Sequence, residues 1–544
     1  MKKTITFILI FALVLSLGAC GADPVPSGPR DVTGRYALHI GRNEAIIDGY
    51  GTVETVETGN CNLFYQIFVG SFSDSNGDGI GDLRGIINRM DYLNDGDPDS
   101  GVSLGVEGIW LTPIFASPSY HKYDVSDYYT IDPQFGTMED LQELIDLCHE
   151  RGVKLILDLV INHTATNHEA FQAFRDAHLN GDTASPYYDY YSWTDTTTPG
   201  KAWAPLGASG HHYECNFSGA MPEPNFDNEQ VFQDMVDIAK YYLDMGIDGF
   251  RFDAAKYIYY GEGQRNVAFW EKYMAALRAI KPDIYTVAEV WDSDAVTQPY
   301  TVATNCFNFS VAQVEGQISW AAKGGNVNTL MSYTQNYIET IQALNPNAHM
   351  VSFISNHDMD RAAGFLTVSS GAAHMAANIA VLMPGSTFLY YGEEIGMKGT
   401  RGGSNTDANR RLAMLWGDGD TVRDPEGADY AAQQINGTVF DQLPNGDSLL
   451  SRYKLLIGIR KANPEIAYGD FTALKLPATN AGGFTCTYNG STVAVLHNVT
   501  TEPIELDLAA LGLTVTTVTA HAGQTPKLKG TTLTLPAQTT AVLK

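Results

Sequence analysis

Strand-like and helix-like segments alternate from about residue 62 to residue 461, and this alternation limits the fold more than any other feature. The predicted strands are short apolar runs, whereas the predicted helices repeat apolar residues at helical spacing, as Leu141, Leu144, Ile145 and Cys148 do. Strands that alternate with helices form a parallel sheet, and eight such units predict a closed (β/α)8 barrel, the TIM barrel of the α/β class. The predicted strands are 63–69, 108–114, 153–161, the apolar part of 246–257, 284–288, a short one near 307, 350–355 and 387–391.

Two segments depart from the alternation. A polar, aromatic-rich stretch over 164–224 shows little helical pattern and predicts a domain inserted after the third strand. From residue 466 onward, Thr, Val and Leu alternate with small polar residues, which predicts a C-terminal antiparallel β-sandwich over 466–544. The sandwich is either a sugar-binding module or a structural cap, and its scattered aromatic residues favour the cap. The barrel is then assigned to 61–163 and 225–465.

The N-terminus carries the pattern of an export signal. Lys2 and Lys3 precede an apolar run over 5–17, so residues 1–20 are predicted to be a signal peptide. Cys20 follows small residues in a pattern similar to the bacterial lipobox, which predicts lipidation and a membrane anchor; an ordinary signal peptide with an incidental cysteine is the alternative. Residues 21–60 form a linker or N-terminal extension. We therefore expect a protein exported from a bacterium, either secreted or on the cell surface.

Charge and cysteine content narrow the choice of partners. The formal net charge of -28 disfavours nucleic acid as a partner, because phosphates are repelled. The remaining cysteines are odd in number and widely spaced, so they predict neither a zinc site nor a disulfide framework, although one disulfide stays open. We expect a monomer. These cysteines are Cys61, Cys148, Cys215, Cys306 and Cys486.

Three carboxylates follow predicted strands and are expected to meet at one mouth of the barrel: Asp253, Glu289 and Asp358. Three carboxyl groups in one cleft cannot all ionise freely, so at least one pKa should be raised. Glycoside hydrolysis needs such a set, with one carboxylate as nucleophile and one protonated carboxyl as acid. Taken alone, Arg251 and Asp253 are as consistent with a structural ion pair at the end of a strand as with a catalytic role.

The segments that carry these residues resemble, in order, the four hallmark regions of the α-amylase family, glycoside hydrolase family 13. They read Asp158-Leu-Val-Ile-Asn-His163, Gly249-Phe-Arg-Phe-Asp253, Glu289-Val-Trp291 and Phe353-Ile-Ser-Asn-His-Asp358. The resemblance extends from about residue 62 to the C-terminus. It implies the same barrel, with an inserted domain B and a C-terminal domain C.

The resemblance also implies roles. Asp253 matches the nucleophile, Glu289 the general acid/base, and Asp358 the carboxylate that holds sugar hydroxyls. Arg251 is implied to keep Asp253 ionised. Further residues match substrate contacts, although on spacing alone Lys256 is equally well an exposed helix lysine. These are Tyr123, His121, His163, Arg251, Lys256 and His357.

The loop over 74–82 predicts a calcium site, because oxygen-bearing side chains stand at positions 1, 3, 5 and 9 with glycine at position 6. It departs from the EF-hand at position 12, which is Gly85. The resemblance implies calcium at a similar loop. It also implies a second site that would use Asn162 and Glu223. At that second site this chain departs from the family, which has Asp-Leu where this chain has Glu223-Pro224. The predicted ligands of the first site are Asp74, Asn76, Asp78, the Ile80 carbonyl and Asp82.

The reaction expected from the resemblance is retaining, endo-type cleavage of α-1,4-glucosidic bonds in starch, glycogen and maltodextrins. Ala254, Ala255 and Lys256 resemble the α-amylases, whereas Met221-Pro222 is similar to the neopullulanases. The alternatives are an exo-acting α-glucosidase or oligo-1,6-glucosidase, a neopullulanase-like enzyme, and a non-catalytic glucan-binding protein. The last would lack the acids that this chain keeps.

Overall fold

The computed structural model describes residues 62–401, 407–515 and 517–544. The predicted signal peptide (1–20), Cys20, the linker over 21–60 and Cys61 lie outside the described residues.

Eight parallel strands form one sheet in the order β6-β5-β4-β3-β2-β1-β8-β7. A parallel bridge between Phe307 and Val351 joins the two ends of the sheet, so the barrel is closed as predicted. Nearly every strand residue is buried, as expected where helices cover a parallel sheet. The strands are β1 Leu63–Ile67, β2 Gly108–Leu111, β3 Lys154–Leu159, β4 Gly249–Phe252, β5 Tyr285–Ala288, β6 Asn305–Cys306, β7 Val351–Phe353 and β8 Ser386–Tyr390.

Helices follow the strands, and several of them begin or end at residues that cap them. Thr137 and Asp140 form a capping box at the start of Met138–Glu150. Gly246, with φ of 112°, ends Glu229–Met245 just before β4. The helix predicted over 83–93 is broken at Arg89. The helices of this part are Leu83–Asn88, Met90–Leu93, Met138–Glu150, Glu229–Met245, Gly263–Ile280, Asp294–Thr297, Gln317–Ala322, Val327–Leu344, Ala362–Phe365, Ala372–Val381, Val439–Gln442, Leu449–Ala462 and Pro464–Tyr468.

The inserted segment differs from its prediction because it contains a twelve-residue helix, Glu169–Asn180. The His168 side chain caps its first turn, and Gly181 ends it in the left-handed conformation. Its buried side includes Phe171 and Phe174, which pack on Tyr191. A three-stranded antiparallel sheet completes the insertion, formed by Trp193–Thr194, Trp203–Pro205 and His212–Glu214.

The C-terminal part is the predicted pair of antiparallel sheets, one of five strands (β9-β10-β11-β16-β13) and one of three (β12-β15-β14). Leucines from both sheets, such as Leu496 and Leu533, fill one core. The strands are β9 Asp470–Leu474, β10 Ala481–Tyr488, β11 Ser491–Asn498, β12 Ile504–Asp507, β13 Val518–Ala522, β14 Lys527–Lys529, β15 Thr532–Leu535 and β16 Thr539–Leu543.

The C-terminal sheets are attached to the barrel by hydrogen bonds. Gln335 in the helix Val327–Leu344 accepts from the Ala473 backbone N–H at 2.8 Å. Asn328 in the same helix donates to the Leu476 carbonyl at 2.9 Å. Within the described ranges, four cysteines are free and buried, and no helix is long and apolar enough to cross a membrane.

Candidate active site

One buried guanidinium joins three carboxyl groups at the C-terminal mouth of the barrel. Arg251, only 1% exposed, contacts Asp158 and Asp253 through Nη1, at 2.7 Å to each. Its Nη2 contacts Glu289 Oε2 at 2.6 Å. β3, β4 and β5 are neighbours, and Asp158 stands beside Arg251 in their register. The predicted pair of Arg251 and Asp253 is thus part of a cluster of four.

Asp158 was not among the predicted site residues, although a carboxylate inside an otherwise apolar strand was a usable signal. A lone buried charge is costly, so such a residue requires a buried cation. Besides Arg251, Asp158 accepts a hydrogen bond from the Tyr123 hydroxyl at 2.9 Å. It therefore orients two other groups of the site.

Burial dominates the titration of this cluster. It raises the pKa of Asp253 to about 6 and that of Glu289 to about 7, while Arg251 acts in the opposite direction on both. The expectation that at least one carboxyl pKa is raised is confirmed. Arg251 favours the ionised form of Asp253, as expected, but one cation shared by three carboxyl groups is outweighed by desolvation. Of the two, Glu289 therefore retains its proton to the higher pH.

The backbone after β4 holds Glu289 in place. Ala254 adopts a left-handed conformation (φ 43°), which is uncommon for a residue with a Cβ and is found at functional sites. In that turn the Ala254 N–H donates to Glu289 Oε2 at 3.2 Å, and the Ala255 N–H donates to the Glu289 carbonyl at 2.9 Å. Two residues next to Asp253 therefore position the second carboxyl group.

Asp358 has a different electrostatic environment. Arg411 Nη2 donates to Asp358 Oδ1 at 2.9 Å, and His357 Nε2 lies 3.0 Å from Oδ2. Burial alone would raise the pKa of Asp358, but these two neighbours hold it well below its usual range. Burial lowers the pKa of His357 to about 4, and its Nδ1 lies 2.7 Å from the Gln66 amide nitrogen. His357 is thus a neutral hydrogen-bond donor, and Arg411 supplies the charge.

The predicted substrate contacts are only partly brought to the cleft. Tyr123, His121, His163 and Lys256 line it, whereas His357 is fully buried behind Tyr123, with which it stacks at 5.4 Å. His163 bonds the Tyr123 carbonyl and Asn162 through its two ring nitrogens. Lys256 is not a free helix lysine, since it donates to the Trp291 carbonyl (2.7 Å) and to Asp292 (2.9 Å).

The cleft has a volume of about 590 Å³, and several of its walls come from segments in which the sequence showed no motif. Arg411, which forms part of one wall, lies in a run of sequence without a recognisable pattern. Phe217 packs on His163 and Tyr257, with ring centroids 5.2 and 4.6 Å apart. The lining residues that were not predicted are Phe217, Met221, Tyr257, Trp291, Arg401, Asp407, Arg410 and Arg411.

The predicted calcium loop has the right donor chemistry but is already rich in internal hydrogen bonds. Asp74 accepts from the backbone N–H groups of Asn76, Gly77 and Gly79. Asp82 caps the following helix through Gly85 N at 2.6 Å. Across the described ranges, no three His, Cys, Asp or Glu side chains are placed to hold a metal ion. The oxygen donors fit calcium, and their present arrangement does not assemble a full site.

The segment over 411–424 is attached to the loop over 74–82 and to the residues beside it. The Arg423 N–H donates to the Gly79 carbonyl at 2.9 Å, and the Ser73 hydroxyl donates to Asp420 at 2.6 Å. Arg89, where the first helix breaks, forms ion pairs with Asp418 and Asp420. The same segment begins at the cleft with Arg411, and the Arg411 carbonyl accepts a hydrogen bond from the Ser71 hydroxyl at 2.7 Å.

The two residues predicted to bind a second metal ion, Asn162 and Glu223, do not form a metal site in this structure. Asn162 Oδ1 is buried without a hydrogen-bond partner among the described residues, and its amide nitrogen bonds His163. Glu223 accepts two hydrogen bonds from Asn216 and lies beside Glu214, and burial followed by that neighbour raises its pKa to about 8. The free oxygen of Asn162 suits a cation, whereas both carboxylate oxygens of Glu223 already accept hydrogen bonds from Asn216.

A closed barrel with carboxyl groups in a cleft at its C-terminal mouth is the arrangement of a barrel glycosidase. The model of the α-amylase catalytic domain matches residues 66–469, and the chain therefore belongs to the α-amylase family, glycoside hydrolase family 13. Its relatives include glycoside hydrolases that act on O-glycosyl bonds, and this protein is an enzyme of that kind.

Three similar proteins illustrate the range of the family. The chain is 34% identical to alpha-amylase 3 of Dictyoglomus thermophilum, over 80% of this chain and 84% of that protein. It is 30% identical to an oligo-1,6-glucosidase of Bacillus cereus, over 82% and 92%. The solved structure of Eubacterium rectale Amy13B has a TM-score of 0.85 and 33% identity, over 93% of this chain and 99% of that chain.

The raised pKa of Glu289 leads to a prediction about stability. The unfolded chain releases this proton near pH 4 and the folded protein near pH 7, so ionisation favours unfolding and stability falls as pH rises between these values. Glu289→Gln should therefore raise the free energy of unfolding at pH 8 by about 1–3 kcal/mol, with little change at pH 4. Urea denaturation followed by circular dichroism measures both.

The exposed Glu271→Gln serves as the control, for which no such pH-dependent gain is expected. A loss of stability at pH 8 in Glu289→Gln would show that its pairing with Arg251 outweighs desolvation.

Proposed function

We propose that this enzyme is a retaining, endo-acting α-amylase that cleaves α-1,4-glucosidic bonds of starch, glycogen and maltodextrins. The observation that carries the proposal is the attachment of Asp253 and Glu289 to the same guanidinium, with Asp358 in the same cleft. Retaining glycosidases require two carboxyl groups close together, one as nucleophile and one as acid. The higher pKa of Glu289 suits it to the acid role.

In the first step, Asp253 attacks the anomeric carbon while Glu289 gives its proton to the departing glycosidic oxygen. The C1–O bond breaks, and a glycosyl ester of Asp253 forms. In the second step, Glu289 takes a proton from water as the water oxygen bonds to C1 and the Asp253 carboxylate leaves. Asp358, held ionised by Arg411, accepts hydrogen bonds from sugar hydroxyls and binds most tightly when the ring is distorted.

The substrate range is supported by residues next to the nucleophile. Ala254, Ala255 and Lys256 resemble those of α-amylases, and a relative of 34% identity is named an alpha-amylase. Exo-action on α-glucosides is the second candidate, supported by the similarity to an oligo-1,6-glucosidase. A neopullulanase-like activity is another, since Met221-Pro222 is similar to neopullulanases and Met221 lines the cleft.

Product analysis separates the candidates. We expect amylose to give a mixture of maltooligosaccharides from the first minutes, because an endo-acting enzyme binds internal segments. Chromatography of the early products measures this, with maltose-derived substrates and pullulan in parallel. Glucose as the sole early product would refute endo-action and favour the exo-acting alternative.

Asp253→Ala should lower kcat on soluble starch by roughly 10⁴-fold or more, since it removes the proposed nucleophile. The exposed Asp283→Ala, far from the cleft, should retain full activity. Thermal unfolding of both variants checks folding. Residual activity of Asp253→Ala within tenfold of the parent would contradict the nucleophile assignment.

We also propose that the loop over 74–82 binds calcium through Asp74, Asn76, Asp78, Asp82 and the Ile80 carbonyl, where the ion would fix the first βα loop. Chelation should lower the melting temperature by several degrees, and calcium should restore it. Within the part of the chain that the structure describes, the Asp78 side chain accepts a hydrogen bond from Ile80 N and no other, so Asp78→Ala should abolish this response with little other disturbance. An unchanged melting temperature after exhaustive chelation would contradict the site.

Export and anchoring through Cys20 are likewise proposed, supported by the signal-like sequence of residues 1–20. In a bacterial host, the parent protein should fractionate with membranes, and Cys20→Ser should not acquire the lipid. Metabolic labelling with a fatty acid measures this directly. Equal labelling of both proteins, or of neither, would contradict lipidation at Cys20.

A further inference from the structure

A second cavity, of about 740 Å³, lies at the opposite end of the barrel from the carboxylates. Its floor includes Ile284 and Thr286 at the beginning of β5, whereas Glu289 follows the end of that strand. Five residues of extended chain separate Ile284 from Glu289, a distance of roughly 17 Å. The cavity is therefore separate from the candidate active site.

The barrel and the C-terminal sheets both contribute walls to this cavity. Gln335 belongs to the wall formed by the helix Val327–Leu344, and Phe471 in β9 forms part of the opposite wall. The hydrogen bond from Ala473 N to Gln335 Oε1 (2.8 Å) joins them, and the Gly385 N–H donates to the Ala467 carbonyl at 3.2 Å. The cavity is thus formed between two fixed units.

The lining is polar, but its charges nearly balance. The charged side chains that line it are Arg278, Glu339 and Asp470, and burial lowers the pKa of His349 to about 4, so this imidazole is neutral. A protein of net charge -28 does not favour an anion there. One cationic and two anionic side chains give the lining a formal net charge of only -1. This small charge, spread over a wide cavity, gives a charged ligand little electrostatic advantage and favours an uncharged one.

Amide side chains supply most of the hydrogen-bonding capacity. Gln342 and Asn347 are exposed at the rim, and neither side chain has a hydrogen bond within the described part of the chain. Each amide can donate two hydrogen bonds and accept others, which matches the hydroxyl groups of a polyol. Tyr468 lines the same cavity and packs on Tyr488 with centroids 5.7 Å apart, so it offers a firmly held aromatic surface.

We propose that this cavity is a second carbohydrate-binding site, which holds a segment of the α-glucan while another segment occupies the active-site cleft. The identity of the ligand rests on the proposed function, since a glucan is the neutral polyol that the enzyme would meet. The volume of the cavity lies within the range of small-molecule binding sites. Binding there would raise the local concentration of substrate, a gain for polymers but not for short oligosaccharides.

The test uses the full chain with Asp253→Asn, which prevents hydrolysis, and isothermal titration with maltoheptaose. We expect two binding events. Adding Gln342→Ala and Asn347→Ala should weaken one of them at least tenfold and leave the other unchanged, because both side chains lie on the exposed rim. The exposed Asn336→Ala, on the same helix but outside the cavity, is the matched control and should change neither.

The outcomes distinguish this inference from the proposed function. A single binding event, or two events that the rim variants leave unchanged, would overturn the second site while the proposed function stands. Absence of any binding, repeated in a Glu289→Gln background, would contradict the proposed function as well. In the active enzyme, the rim variants should lower kcat/KM on soluble starch several-fold and leave that on maltotriose unchanged.

Discussion

The guanidinium of Arg251 is the interaction on which the site depends. It is buried beneath the cleft and contacts carboxyl groups from β3, from the end of β4 and from the residue after β5. Three neighbouring strands must therefore keep their register for the charges to be compensated. Loss of the cation would leave several buried carboxylates unpaired, which is among the most destabilising changes that a core can undergo.

The two sides of the cleft achieve different protonation with the same kind of group. Asp253 and Glu289 share one cation and are desolvated, so both retain protons more strongly than free carboxylic acids do. Asp358 has Arg411 beside it and a neutral imidazole donating to its other oxygen, so it remains charged. The contrast follows from the number of cations available to each carboxylate, and it provides an acid and a permanent anion in one cavity.

The sequence was sufficient to predict features that repeat or that stand at strand ends. The eight strands were predictable because apolar runs alternate with helical spacing, and Asp253, Glu289 and Asp358 because each follows such a run. Arg411 and Phe217 were not, since they come from irregular segments that reach the cleft only through tertiary packing. The helix Glu169–Asn180 was missed because its buried side is built from phenylalanine, alanine and histidine among charged residues, which dilutes the apolar pattern.

The attachment of the segment over 411–424 to the loop over 74–82 has a consequence for local motion. The first residue of the segment, Arg411, forms an ion pair with Asp358. Later residues of the segment bond Gly79 in the loop and Ser73 just before it. Neither segment can open without breaking hydrogen bonds of the other, so they form one cooperative unit of local unfolding. The rigidity of the cleft on this side thus depends on hydrogen bonds to a loop at the edge of the barrel.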